Sequence, residues 1–134
     1  MNAKTQVRTT GAPTPLSTFS QGVLKNGYLS VSGQGPQDPA TAEYLYPGDL
    51  AKQTVRTFDN IKAIVEAAGG TLDDLVSVRV FLTQRSDFAA MNAVYEEYMR
   101  ENITSGVFPT RTTIFVELPH PAMLVEIDAI GILS

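Results

Sequence analysis

Cysteine is absent from the 134 residues, and histidine occurs once, at position 120. Those two shortages exclude a disulfide framework, a thiolate nucleophile and a thiolate metal site. A transition-metal site would have to be built from carboxylates alone, and no carboxylate cluster has the spacing for one. A Ser-His-Asp triad would rest entirely on His120, which stands between Pro119 and Pro121 and reads as a connector. Basic clusters are missing as well: the net charge is −4 and the pI about 4.8. Nucleic-acid binders draw most of their affinity from Lys and Arg on phosphates, so no nucleic-acid partner is expected. Membrane-surface binding is disfavoured for the same reason. No apolar run is long enough to span a bilayer, and no charged n-region precedes an apolar h-region, so the expectation is a soluble, cytoplasmic protein.

What is there describes an ordinary globular chain, 43% hydrophobic and only 18% charged. Its length predicts a single domain over residues 1–134, and the sparse surface charge suits an oligomer, because charge is depleted at interface cores. The first twenty residues read as a short strand and an irregular loop. Asn26-Gly27, between Gln21–Lys25 and Tyr28–Ser32, is a hairpin signal, and the Pro- and Gly-rich stretch from Gly33 to Gly48 is loop. Leu50, Thr54, Phe58, Ile61, Val65 and Ala68 recur at helical spacing, with Asp49 as N-cap and Gly69-Gly70 as stop. Val76, Val78, Val80 and Leu82 alternate onto one face of a strand. A second helix starts near Ser86-Asp87 and carries Phe88, Met91, Tyr95 and Tyr98 on its apolar side, where packing is the expected role of both tyrosines. Two closing strands follow Pro109. The β-α-β-α-β centre predicts two crossovers that put both helices on one face of a mixed sheet, leaving the other face uncovered and open to self-association.

Ser32-Gly33-Gln34-Gly35 follows a strand but lacks the third glycine and the helix of a dinucleotide fingerprint. Alone it is a strand-end turn. Asp73-Asp74, after the glycine pair, reads as a solvated turn, and Asn92 as an amide on the inner side of the second helix. The unusual charges are Arg111, which opens the β-branched run Thr112-Thr113-Ile114-Phe115-Val116, and Glu126, alone in Leu124-Val125-Glu126-Ile127. A guanidinium fork matches a carboxylate, and a half-buried carboxylate can acquire a pKa suited to proton transfer. The residues leave two readings open: a structural ion pair between adjacent strands, or a small site for an anionic organic substrate.

Six segments taken together resemble the reactive intermediate deaminase (RidA/YjgF) family: Phe19-Ser20-Gln21, Val31-Ser32-Gly33-Gln34, Gln53 with Asn60-Ile61-Lys62, Asp87-Phe88-Ala89 with Asn92 and Tyr95, Phe108-Pro109-Thr110-Arg111, and Val125-Glu126-Ile127-Asp128-Ala129-Ile130. The resemblance implies an α+β, chorismate-mutase-like fold, a mixed sheet backed by two helices. It further implies a homotrimeric barrel with sites in the clefts between subunits. The implied activity is hydrolysis of reactive 2-imino acids and their enamine tautomers to 2-oxo acids and ammonia, with no cofactor and no metal. Carried over residue by residue, Arg111 would bind the substrate carboxylate and Glu126 would position the attacking water. Phe19, Ser32, Gly33, Asn92 and Thr113 would shape the pocket. Two departures stand out: Phe19 where the family often has tyrosine, and Thr113 where it sometimes has cysteine. The alternatives are a trimer that binds small carboxylates without turnover, or an enamine deaminase of the aminomuconate type.

Overall fold

The N-terminal stretch contributes one short strand, β1 (Thr5–Val7), before a loop that runs to Ser20. The structure is a computed structural model that describes residues 3–134, so the first two residues of that expected stretch lie outside it. A buried amide ties the loop down. Gln21 Nε2 donates to the carbonyls of Thr9, Ala12 and Pro13, and its Oε1 accepts from the Thr9 amide. The predicted hairpin then joins β2 (Gly22–Lys25) to β3 (Tyr28–Gln34), with Asn26 and Gly27 at φ 53° and 80°.

Helix α1 (Leu50–Ala67) begins where predicted, the Asp49 side chain accepting from the Lys52 amide, and stops before Gly69 at φ 94°. Strand β4 (Leu75–Leu82), helix α2 (Phe88–Asn102), β5 (Thr110–Phe115) and β6 (Val125–Ile132) complete the chain. The six strands run in the order β1-β2-β3-β6-β4-β5, with β4 and β5 parallel and every other pairing antiparallel. The last strand therefore inserts between β3 and β4. Residues Phe58, Ile61, Ile64 and Val65 of α1 pack on Leu29, Val31, Val78, Val80, Leu82, Val125 and Ile127 of the sheet. This is the mixed α+β architecture the sequence predicts, with one sheet face under the helices. On the other face Tyr28, Ile114 and Ile132 remain exposed.

Three expectations are corrected. Gly33 and Gln34 belong to a bulged end of β3 rather than to the loop, since Gln34 still pairs with Ile127 of β6. Val76 is exposed rather than on the core face, because Leu75 pairs with Gly131 while Ser77 pairs with Ile130. That bulge makes Val76 an extra residue and lets Leu75 and Val78 both point inward. Asp73-Asp74 is also more than a solvated turn. Asp74 completes a capping box with Thr71, and Asp73 accepts from the Thr104 hydroxyl and the amides of Thr104 and Ser105. Those hydrogen bonds hold the Asp73 carboxyl well below the usual carboxylate range and fasten the chain as it leaves α2.

Candidate functional site

Arg111 lies on the edge strand β5, in register with Val78 of β4, so its side chain shares the helix-covered face of the sheet. There it meets one stripe of α2. Its Cζ sits 4.7 Å from the ring centre of Tyr95 and 5.9 Å from that of Phe88, and Nη1 lies 4.0 Å from Met91 Sδ. No Asp or Glu pairs with Arg111 among the described residues. The cation is held by π faces and a thioether instead of by an anion. Thr113, two residues on and in register with Val80, is on the same side. Its Oγ1 and the Tyr95 hydroxyl are both buried with no hydrogen-bond partner among the described residues. Burial raises the Tyr95 phenol above its ordinary value, opposed in part by the Arg111 charge. Asn92 is half-buried on α2.

Glu126 occupies the opposite face. It pairs with Phe81 of β4, one residue out of phase with the buried Val80–Ile127 pair. Its neighbour is the bulge where β3 loses register between Val31 and Gln34. Gly33 sits in that bulge, and a Cβ there would run into Glu126 Oε2; only glycine lets the carboxylate lie against this backbone. Burial first, and the charge of Asp128 second, push the Glu126 carboxyl above the usual carboxylate range. Asp128 itself is engaged by Arg79 through contacts of 2.9 and 2.6 Å. Ser32 Oγ donates to the Ser20 carbonyl at 2.5 Å, which fastens the loop carrying Phe19 to the bulge. Phe19, 54% exposed, forms a wall of two cavities. One, about 160 Å³, is lined by Gly33, Gln34, Gln37 and Tyr44, and the other, about 580 Å³, by Arg8, Thr9, Thr10 and Thr14.

The predicted site residues thus fall into two groups. Phe19, Ser32, Gly33 and Glu126 gather around the β3 bulge, while Arg111 and Thr113 face α2, which also carries Asn92. An Arg111–Glu126 ion pair between adjacent strands is ruled out, because β4 lies between β5 and β6 and the two side chains leave the sheet on opposite faces. His120 behaves as the expected connector: its Nδ1 accepts from the Ala122 amide, and its ring stacks on Tyr44 at 4.1 Å. No cluster of three His, Asp or Glu side chains among the described residues is placed to hold a metal ion.

A family model described as Endoribonuclease L-PSP matches residues 9–133. The chain belongs to this family, the RidA/YjgF group. A RutC family protein of Pyrococcus abyssi is 41% identical over 129 residues, covering 96% of this chain and 97% of that one. The 2-iminobutanoate/2-iminopropanoate deaminase of Escherichia coli is 37% identical over 126 residues, 94% of this chain and 95% of the relative. The crystal structure of E. coli TdcF with bound serine superposes with a TM-score of 0.88 at 35% identity, covering 97% of this chain and 99% of that one.

Sequence reasoning missed the bed beneath Arg111. Phe88, Met91 and Tyr95 recur at i, i+3 and i+7, and that spacing reads as core. Tyr98 does serve the core, buried with its hydroxyl 2.8 Å from Asp59, whereas Tyr95 turns its ring to the guanidinium. The family markers Gln53 and Asn60 prove to be buried staples. Gln53 bridges Tyr46, Ala122 and Leu124, and Asn60 holds the carbonyls of Gly35 and Gln37.

Proposed function

We propose that the protein is a cofactor-free deaminase that hydrolyses 2-imino acids of the 2-iminopropanoate and 2-iminobutanoate type, and their enamine tautomers, to 2-oxo acids and ammonia. The observation that carries this reading is the Arg111 guanidinium, held in place yet without an anion among the described residues, which suits the carboxylate of a small acid. The name of the E. coli relative and the serine bound to TdcF point to the same substrate size. Because Arg111 and Glu126 leave opposite faces of one sheet, the site is completed between copies of the chain in a homotrimer. Arg111 and Thr113 come from one copy, and Glu126, Gly33 and Phe19 from the next. The exposed Tyr28, Ile114 and Ile132 are then covered by the association.

Hydrolysis needs no covalent nucleophile. A protonated imine is already electrophilic, and Glu126, with its proton affinity raised, accepts a proton from water as the oxygen bonds to the imine carbon. The same proton passes to the nitrogen of the resulting carbinolamine. The C–N bond then breaks as the C=O bond forms, the hydroxyl proton leaves, and the products are the 2-oxo acid and ammonium. Arg111 fixes the carboxylate so that the carbon faces the water. The larger cavity beyond Phe19 favours one variant reading, an enamine acid longer than these substrates. RNA is not the proposed substrate, since the net charge of −4 and the lack of a basic cluster in the sequence disfavour phosphate binding.

The test is complementation. Arg111→Ala and Glu126→Gln are each expected to lose imine hydrolysis. Chains of both variants mixed at equal amounts and reassembled should recover about one quarter of wild-type sites, since random pairing places an intact arginine opposite an intact glutamate that often. Recovery absent from mixed trimers would overturn the shared site. Absence of wild-type turnover with small and bulky imino acids, with 2-oxo acid binding retained, would move the reading to a carboxylate-binding protein.

A further inference from the structure

Among the described residues, the Tyr95 ring lies under a guanidinium that has no counter-ion and its hydroxyl is buried without a partner; it stands on α2 while Arg111 stands on an edge strand. We infer that Tyr95 is a positioning residue for Arg111: its ring face holds the guanidinium in one orientation before any carboxylate arrives. This inference rests on the reading of Arg111 as the carboxylate anchor.

An arginine on an edge strand with no acidic neighbour would ordinarily sample many rotamers, and a ligand would have to freeze them on binding. Here the freezing is done in advance. Tyr95 attracts the cation through its π face at 4.7 Å, Phe88 flanks it at 5.9 Å, and Met91 Sδ touches Nη1. An Asp or Glu in the same place would fix the arginine equally well but would compete with the substrate carboxylate. An aromatic ring orients the charge without neutralising it, and leaves the donor edge of the fork free. Phe58 supports the tyrosine from beneath, edge-on at 5.6 Å, so the platform is anchored in the core. The hydroxyl makes no hydrogen bond, so the ring alone performs this role and phenylalanine should replace it.

The experiment compares wild type, Tyr95→Phe and Tyr95→Leu as the assembled protein, with 2-oxobutanoate as the binding probe and 2-iminobutanoate as the substrate. A second readout is the NMR signal of the Arg111 Nε–H in the unliganded protein, which a ring at this distance shifts upfield. Tyr95→Phe should match wild type in KM, kcat and the Arg111 shift. Tyr95→Leu should weaken 2-oxobutanoate binding and raise KM about tenfold, change kcat far less, and move the Arg111 signal downfield. A residue that only packs would lower thermal stability without that split. If Tyr95→Leu fails to fold, Tyr95→Met, whose unbranched apolar chain adapts to the site and has no π face, replaces it with the same expectations. Unchanged affinity and an unmoved Arg111 signal in the leucine or methionine variant overturn the inference and leave the deaminase reading intact. If wild type itself does not bind 2-oxobutanoate, the anchor reading fails, and the Arg111 signal alone then decides whether Tyr95 positions it.

Discussion

The two faces of one sheet treat a functional charge in opposite ways. On the helix side, Arg111 is laid on Phe88, Met91 and Tyr95, so its environment is apolar and polarisable and contains no countercharge among the described residues. On the open side, Glu126 is set against the backbone at Gly33 and near another carboxylate, Asp128, and its proton affinity rises. A cation that remains charged at every working pH can be oriented by rings alone, because nothing about its protonation has to be tuned. A carboxylate asked to exchange a proton needs the reverse, a setting that penalises its charge. The difference teaches that anchoring and proton transfer place different demands on the surrounding residues. This chain meets them in two places that one copy does not bring together.

That contrast can be broken from either side. The largest effect is expected from Glu126→Gln, which should lower imine turnover by about 10²–10⁴-fold while changing 2-oxobutanoate affinity little, as steady-state kinetics and calorimetry would check. Arg111→Ala should do the converse in the binding assay, weakening 2-oxobutanoate about 10–100-fold, as expected when a charged hydrogen-bonding partner is removed. Equal effects of both substitutions on binding would erase the distinction between anchor and acid-base group. Gly33→Ala sharpens it: the added methyl runs into the Glu126 carboxylate, so turnover should fall about tenfold with anchor affinity preserved.

Smaller effects concern stability. The folded Glu126 carboxyl keeps its proton to higher pH than the unfolded chain does, so stability falls as pH rises through the folded value and the deficit persists at neutral pH. Glu126→Gln removes that deficit. Its thermal midpoint should exceed that of wild type at neutral pH, and the gap should close as pH drops below the ordinary carboxylate range, where both states are protonated. On the arginine side, Thr113→Val deletes a buried hydroxyl that has no partner, and should leave stability unchanged or raise it by up to about 1 kcal/mol in thermal unfolding.

Much of the fold was legible because its signals are local. Asn26-Gly27 closes a hairpin through positive φ, Asp49 and Gly69 bound a helix, and the apolar positions of α1 recur at its period. The candidate residues were legible as types: a charge at the start of a β-branched run, and another alone in an apolar strand. Their mutual placement was not. Strand order depends on which strand β6 chooses as neighbour, and no local pattern shows that it enters between β3 and β4 and leaves β5 at the edge. The bulge at Val76 leaves no local signal for a related reason, since one unpaired residue reverses the period-two alternation of the strand. Tyr95 and Tyr98 have the same spacing on paper, and only the register of β5 against β4, which brings Arg111 over α2, separates a guanidinium platform from a core residue. The sequence by itself determined the elements, the helix caps, the covered and uncovered faces and the identity of the two charges, all set by chemistry within a few residues. Only the tertiary structure decided that those charges lie on opposite faces of the sheet, because that depends on pairings between strands far apart along the chain.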